Sequence, residues 1–155
     1  MFSYHVASVS YREMVHSILL SIRSCVCVCR WACFCLSIQD IENSVSAMLR
    51  GQVVGYQPHI GGGHYVSVTS GFDCVDFRKF YVRYGQLDVR RTKSGIALRL
   101  SEWAQLQRLV EVIHNAYPTL ATTEPCYMDT DHMNQEAAFQ CPECCPFLPS
   151  LLPSV

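Results

Sequence analysis

The sequence predicts an α+β fold: a four-stranded antiparallel sheet followed by one amphipathic helix, with poorly ordered N- and C-terminal extensions. A two-residue alternation runs through residues 65–100, broken at short intervals by turn signals. It gives way at Ser101 to a 3.6-residue period that stops at Pro118. All eight glycines lie between Gly51 and Gly95, and five of the seven prolines between Pro125 and Pro153. This divides the chain into a Cys-rich extension at 1–60, a domain at 61–118 and an acidic Pro/Cys-rich tail at 119–155. With 155 residues, half of them hydrophobic and 16% charged, the chain can bury one core; collagen, a coiled coil and a mainly disordered chain are excluded.

In the first strand Tyr65, Ser67 and Thr69 alternate with Val66 and Val68, and Ser70-Gly71 turns the chain. Cys74–Val82 follows, with Val75, Phe77 and Lys79 on one face and Asp76, Arg78 and Phe80 on the other. After the Tyr84-Gly85 turn, Gln86–Arg91 and Gly95–Leu100 read as two short strands, with Leu87, Val89, Ile96, Leu98 and Leu100 pointing inward. Four short strands this close together form a meander most economically. Ser101 is the expected N-cap, with Glu102 in the first turn, where the helix dipole favours an anion. Trp103, Leu106, Leu109, Val110 and Ile113 make the apolar stripe, leaving Gln105, Arg108 and Glu111 to solvent. One helix covers one face of such a sheet and leaves the other open.

Upstream, Cys25-Val26-Cys27-Val28-Cys29, then Cys33 and Cys35, reads as compositionally biased sequence. A strand with one thiol face and a thiol cluster for a soft metal are the alternatives. Ile38–Leu49 predicts a short helix capped by Asp40 or Asn43. Gly61-Gly62-Gly63 predicts a linker or turn, since the Lys and Ser or Thr of a phosphate-cradling loop do not follow it. Ile18–Ile38 is apolar but contains Arg23 and Arg30, each unfavourable by about 2.5–3.5 kcal/mol near a bilayer centre. Met1–Tyr11 has no Lys or Arg, so neither a secretory leader nor an anchor is expected, and no membrane partner. The ten cysteines are clumped, which favours reduced thiols or metal ligands over a secreted disulfide framework.

The formal net charge of −1 conceals segregation. Residues 50–120 carry nine basic and five acidic side chains (+4), and residues 121–155 carry no Lys or Arg and five acids (−5). A basic middle favours a polyanion, because cations placed against phosphates release condensed counterions. Arg78, Lys79, Tyr81, Arg83, Tyr84, Arg90, Arg91, Lys93 and Arg99 interleave cations with aromatics, the combination that unpaired nucleic acid needs for phosphates and stacked bases. The helix offers only Arg108, which disfavours duplex readout through a groove. The plainer alternative is a solubilising sheet surface. A docking platform built on both Arg78 and Tyr81 exists only if the two side chains share one side of the sheet that the cysteine-laden flanks leave open.

Three blocks carry a resemblance: Tyr65-Val66-Ser67-Val68, then Val75-Asp76-Phe77-Arg78-Lys79-Phe80-Tyr81, then Thr92-Lys93-Ser94-Gly95-Ile96-Ala97-Leu98-Arg99-Leu100-Ser101-Glu102-Trp103. In that order, over about residues 62–117, they resemble the core of the positive cofactor four family, transcriptional coactivators that bind single-stranded DNA. The resemblance implies four antiparallel strands and a long helix, pairing of two copies, and binding of single-stranded or melted DNA. It also implies partners in the transcription machinery and a nuclear location. By the resemblance, Arg78 matches a phosphate-contacting arginine and Tyr81 a base-stacking aromatic. Phe72 matches an aromatic of the first hairpin turn, Lys93 a basic position, and Gly95 a glycine that permits a close turn. The stretch between Val68 and Val75 is shorter than the family's hairpin, Asp73 and Cys74 replace basic or glycine residues, and Ser94 replaces a lysine. These departures predict weaker binding or an altered hairpin register.

The tail holds Cys126, His132, Cys141 and Cys144, with Cys145 adjacent. Cys-Pro-Glu-Cys resembles a zinc-knuckle turn, and three thiolates with one imidazole would suit tetrahedral zinc, although the Cys126-to-His132 spacing fits no standard finger. An unstructured tail with incidental thiols is the alternative. A zinc-dependent protein-interaction module carried by this tail is the competing functional reading. Neither a nucleophile turn nor an orienting Asp or Asn accompanies a Cys/His pair, so the chain is not expected to be an enzyme, and His64 and His114 read as ordinary surface or partly buried side chains.

Overall fold

The structure, a computed structural model, describes residues 26–128, 132 and 135–148. The elements in chain order are α1 (Val26–Leu49), β1 (Gly55–Tyr56), β2 (His59–Gly61), β3 (His64–Thr69), β4 (Cys74–Val82), β5 (Val89–Arg99), α2 (Leu100–Ala116), α3 (Pro118–Thr122), a 3-10 turn (Cys126–Met128) and α4 (Gln135–Gln140). The expected α+β class with an antiparallel sheet is present, with five strand segments and a second long helix. Cys25 and the stretch 18–25 of the leader or anchor window lie outside the described residues. Among the described residues no helix is long and apolar enough to cross a membrane.

β1 and β2 behave as one interrupted edge strand. Gly55 pairs with Thr69, Tyr56 with Val68 and His59 with Tyr65, and Pro58 O accepts the Val66 N–H at 3.1 Å, so a single register spans the break. Proline has no N–H for a ladder, and an edge tolerates that loss. The two strands expected at 86–91 and 95–100 are instead the single strand β5. From Arg78↔Gly95 to Phe80↔Arg91, β4 advances two residues while β5 advances four, so β5 bulges at 92–94 and β4 keeps its alternation. Gly95 fits there because a Cβ would lie 2.5 Å from Phe77 O and 2.9 Å from Arg78 Cα. Leu87 and Val89, expected inside, are exposed; Leu87 is 86% accessible, because it lies in the β4–β5 connection beyond either helix.

Cross-strand rows sort the two faces. Val66, Phe77 and Ile96 form one row and Val75 pairs with Leu98 in the next, and these five, with Val68, belong to one core cluster. α2 contributes Trp103, Leu106, Leu109, Val110 and Ile113 to it, the five residues of the expected stripe. Its N-cap is Arg99 rather than Ser101, and the Arg99 backbone N–H donates to Glu102 Oε2 at 2.8 Å.

The reading of 26–29 as a strand is overturned: these residues begin α1, and Ile38–Leu49 is that helix's C-terminal half, so Asp40 and Asn43 are interior rather than caps. Trp31, Phe34, Ile38, Ile41, Val45 and Met48 repeat at helical spacing and pack into the same cluster. Glu42 Oε2 accepts from Trp103 Nε1 at 2.9 Å and from Gln107 Nε2 at 3.1 Å, fastening α1 to α2. Both helices therefore cover one face, and residues 26–49 share the core of the sheet domain. The other face carries Ser67, Asp76 and Ala97 in one row and Tyr65, Arg78 and Gly95 in the next.

Candidate functional site

Two constellations emerge, a cationic β4–β5 ribbon and a thiol–imidazole cluster, and a turn of three glycines joins them.

On the ribbon, Tyr81 lies directly across from Arg90, and Val82 from Val89. Directly paired residues share a face, so Lys79, Tyr81 and Arg90 lie together on the helix-bearing side, where β4 and β5 run past the core. Lys79, Tyr81, Arg83 and Lys93 are exposed, and Arg90 keeps only a solvent-facing ion pair with Asp88, 2.9 Å, of the kind that contributes little. Arg78 is placed elsewhere. The Phe80 ring is 4.9 Å from Tyr65, which pairs with Arg78, so Arg78 and Phe80 share the opposite face and Tyr81 points away from both. Arg78 donates from Nε and Nη2 to the Asp76 carboxylate, each at 3.0 Å, and from Nη1 to Thr92 O at 3.0 Å; only 17% of its side chain is accessible. Arg91 also binds the buried Asp76 carboxylate. The expected single platform joining Arg78 to Tyr81 is thus corrected: three residues apart on an unbroken strand, they must leave from opposite faces. Phe72 is exposed in the β3–β4 turn, at the far end of β4 from Tyr81.

The tail residues do converge. The ligand atoms of Cys126, His132, Cys141 and Cys144 all lie within 4.8 Å of one another. Cys126 Sγ is 3.9 Å from Cys141 Sγ and 3.4 Å from Cys144 Sγ, and Cys144 Sγ is 3.7 Å from His132 Nδ1. A tetrahedral zinc site has edges of about 3.8 Å between sulfurs and about 3.6 Å between sulfur and nitrogen, from its metal–ligand lengths. The donor set and its spacing fit a metal ion. The Cys141 thiol feels burial, which raises its pKa, but hydrogen bonds from the Cys144 and Glu143 backbones outweigh it and lower the net value. Burial first, then hydrogen bonds from Cys29 and Cys144, raises that of Cys126. Burial likewise raises that of Cys144, so Cys126 and Cys144 resist deprotonation while Cys141 does not, and a divalent cation held among them would supply the charge that makes all three thiolates stable.

Sequence reasoning missed what holds this cluster. The Cys29 thiol donates to Cys126 Sγ at 3.0 Å, and the Cys126 N–H donates to Cys29 Sγ at 3.1 Å. Cys33, one turn further along α1, is buried; burial, then the neighbouring Cys29, pushes its thiol up to about 12. Next to Cys29, Arg30 makes a bidentate pair with Glu143 of the Cys-Pro-Glu-Cys turn, Nε–Oε2 2.7 Å and Nη2–Oε1 2.6 Å. Glu143 is only 7% exposed. The pair rests on the glycines. A Cβ on Gly61 would come within 2.8 Å of Glu143 Oε2, and one on Gly62 within 2.2 Å of Arg30 Nη2. Gly62 N–H also donates to Glu143 O at 3.0 Å, and Gly63 lies against the Phe147 ring. The signal for this seat was the triple glycine itself, legible as a turn but silent about its contents.

Elsewhere Cys29, Cys33, Cys35, Cys74, Cys126, Cys141, Cys144 and Cys145 are all free thiols. His114 Nε2 accepts from Trp31 Nε1 at 3.1 Å, a partly buried structural contact. Comparison of the chain with protein-family models, with curated proteins and with solved structures returns no match in any of the three.

Proposed function

We propose that the chain is a non-enzymatic module that binds single-stranded or melted DNA through the β4–β5 ribbon, with zinc held by Cys126, His132, Cys141 and Cys144 stapling its tail. The observation that supports binding is the cross-strand pair of exposed Tyr81 with half-buried Arg90, and exposed Lys79 beside it: a ring for a base and two cations for phosphates. The +4 balance of residues 50–120 supplies the accompanying long-range attraction. Exposed Arg83 and Lys93 add further cations, whereas Arg78 and Arg91 serve Asp76. The resemblance to the positive cofactor four blocks extends this reading to a nuclear transcriptional coactivator that pairs with a second copy and meets the transcription machinery.

The test uses the full zinc-loaded chain, since α1 shares the sheet's core with α2. Its affinity for a labelled oligothymidine and for a duplex of equal length is measured at two salt concentrations. Preference for the single strand with a negative salt slope is expected; equal affinity, or no salt dependence, overturns the reading. Tyr81→Ala should weaken binding about 5- to 100-fold while leaving the slope unchanged.

The thiol–imidazole geometry favours a second reading, a zinc-dependent protein-interaction module in which the sheet is scaffold. Tightly bound zinc together with no oligonucleotide binding by the intact chain would select it.

A further inference from the structure

β3 begins at His64, paired with Lys79, and the Phe80 N–H reaches Gly63 O at 2.8 Å, so from Tyr81 onward β4 has outrun its neighbour on that side. The metal-site turn borders the gap, and a groove of about 320 Å³ there is lined by Lys79–Val82 of the sheet, by Pro142, Glu143, Pro146 and Phe147 of the tail, and by Gly62 and Arg30. We propose that this groove is a subsite for one unpaired base of a bound single strand, and that the metal-organised tail is its far wall; this rests on the ribbon reading above.

Three features select that occupant. Tyr81 and Phe147, one from the sheet and one from the tail, both line the groove, and a flat π-system stacks on an aromatic ring whatever the base. Exposed Lys79 lines the groove for the adjoining phosphate, and the bidentate bond to Arg30 neutralises Glu143, the one carboxylate among the described lining residues. Tyr81 belongs both to the groove and to the Tyr81–Arg90 pair, so a strand lying along the ribbon can place one base in the groove without leaving the cationic surface. The volume lies at the small end of ligand sites, which suits a single ring system and excludes a duplex end. Pro142 and Glu143 lie between the paired thiols Cys141 and Cys144, so their position follows from the geometry of the cluster. Metal loading and strand binding are therefore coupled.

Fluorescence anisotropy of a labelled oligothymidine with the full zinc-loaded chain tests this, using Phe147→Ala, Phe147→Leu and Lys79→Ala. Zinc content and helical circular dichroism identify folded, loaded samples. Phe147→Ala should weaken binding about 5- to 100-fold with the salt slope unchanged, and stripping the zinc should weaken the parent protein similarly. Lys79→Ala should reduce the slope by about one phosphate contact. Phe147→Leu retains the apolar packing on Gly63 without a flat ring; it decides the matter if the alanine variant loses its metal. Folded, loaded Phe147→Leu binding within twofold of the parent overturns the subsite while leaving the ribbon standing. Absence of single-strand binding in every form overturns both.

Discussion

Replacing Gly62 by alanine tests whether the glycine turn is the seat of the Arg30–Glu143 pair. A Cβ there would meet Arg30 Nη2 at 2.2 Å, Cζ at 2.7 Å and Nε at 2.8 Å, so the guanidinium has to leave. Two terms add. With φ at +58°, any side chain meets the left-handed penalty of about 1–2 kcal/mol. Displacing the guanidinium strands the buried Glu143 carboxylate, a loss of about 3–5 kcal/mol, which the flexible arginine side chain trims toward the lower figure. Gly51→Ala is the control: φ is +76° and nothing lies within 4 Å, so only the first term acts. At about 3 °C per kcal/mol for a chain of this size, Gly51→Ala should lower Tm by about 3–6 °C and Gly62→Ala by about 12–18 °C in scanning calorimetry of the zinc-loaded chain. If the two variants melt within about 2 °C of each other, the seat does not hold the pair.

Cys144→Ser should fail to retain zinc through gel filtration while Cys145→Ser retains it, because Cys144 belongs to the cluster and Cys145 does not; equal loss from both would mean a different ligand set. Arg78→Ala should lower stability by about 1–3 kcal/mol, since it removes a bidentate partner from buried Asp76 while Arg91 stays bound to it, and should leave the salt slope of DNA binding unchanged. A stable Arg78→Ala protein with a reduced slope would restore the phosphate-contact role. The chain should also lose stability as pH falls through about 6.5. Burial first, with Arg30 and His64 nearby, lowers the pKa of His59, whose Nε2 accepts the Gly63 N–H at 3.1 Å; burial, then Arg30, lowers that of His64. Unfolded imidazoles take up protons in that window more readily than the folded ones, so acid favours unfolding. His59→Gln should melt with a shallower pH dependence between pH 7.5 and 5.5 than the parent; an unchanged slope would refute the assignment.

How much was legible in the sequence depended on whether one period or several forces wrote each segment. Cys74–Val82 and the stripe from Trp103 to Ile113 each keep one period, so the strand's bounds and the helix's inward residues follow from period alone. The same period already places Arg78 and Tyr81 on opposite faces of the strand. The zinc-like set was legible as ligand types, because sulfur and imidazole chemistry is written in residue identity. The α1 helix was not: a two-residue cysteine repeat imitates a strand, and only the sheet face that receives Trp31, Phe34 and Ile41 shows that the 3.6-residue period governs. Nor could the edge strand across Pro58, the bulge that fuses two expected strands, or the meeting of Arg30 with Glu143, 113 residues away, be read locally. Composition and periodicity settle which faces bury and which atoms can bind a metal. Which distant side chains meet is decided by long-range packing, because the desolvation that favours such a meeting exists only once the chain has closed around it.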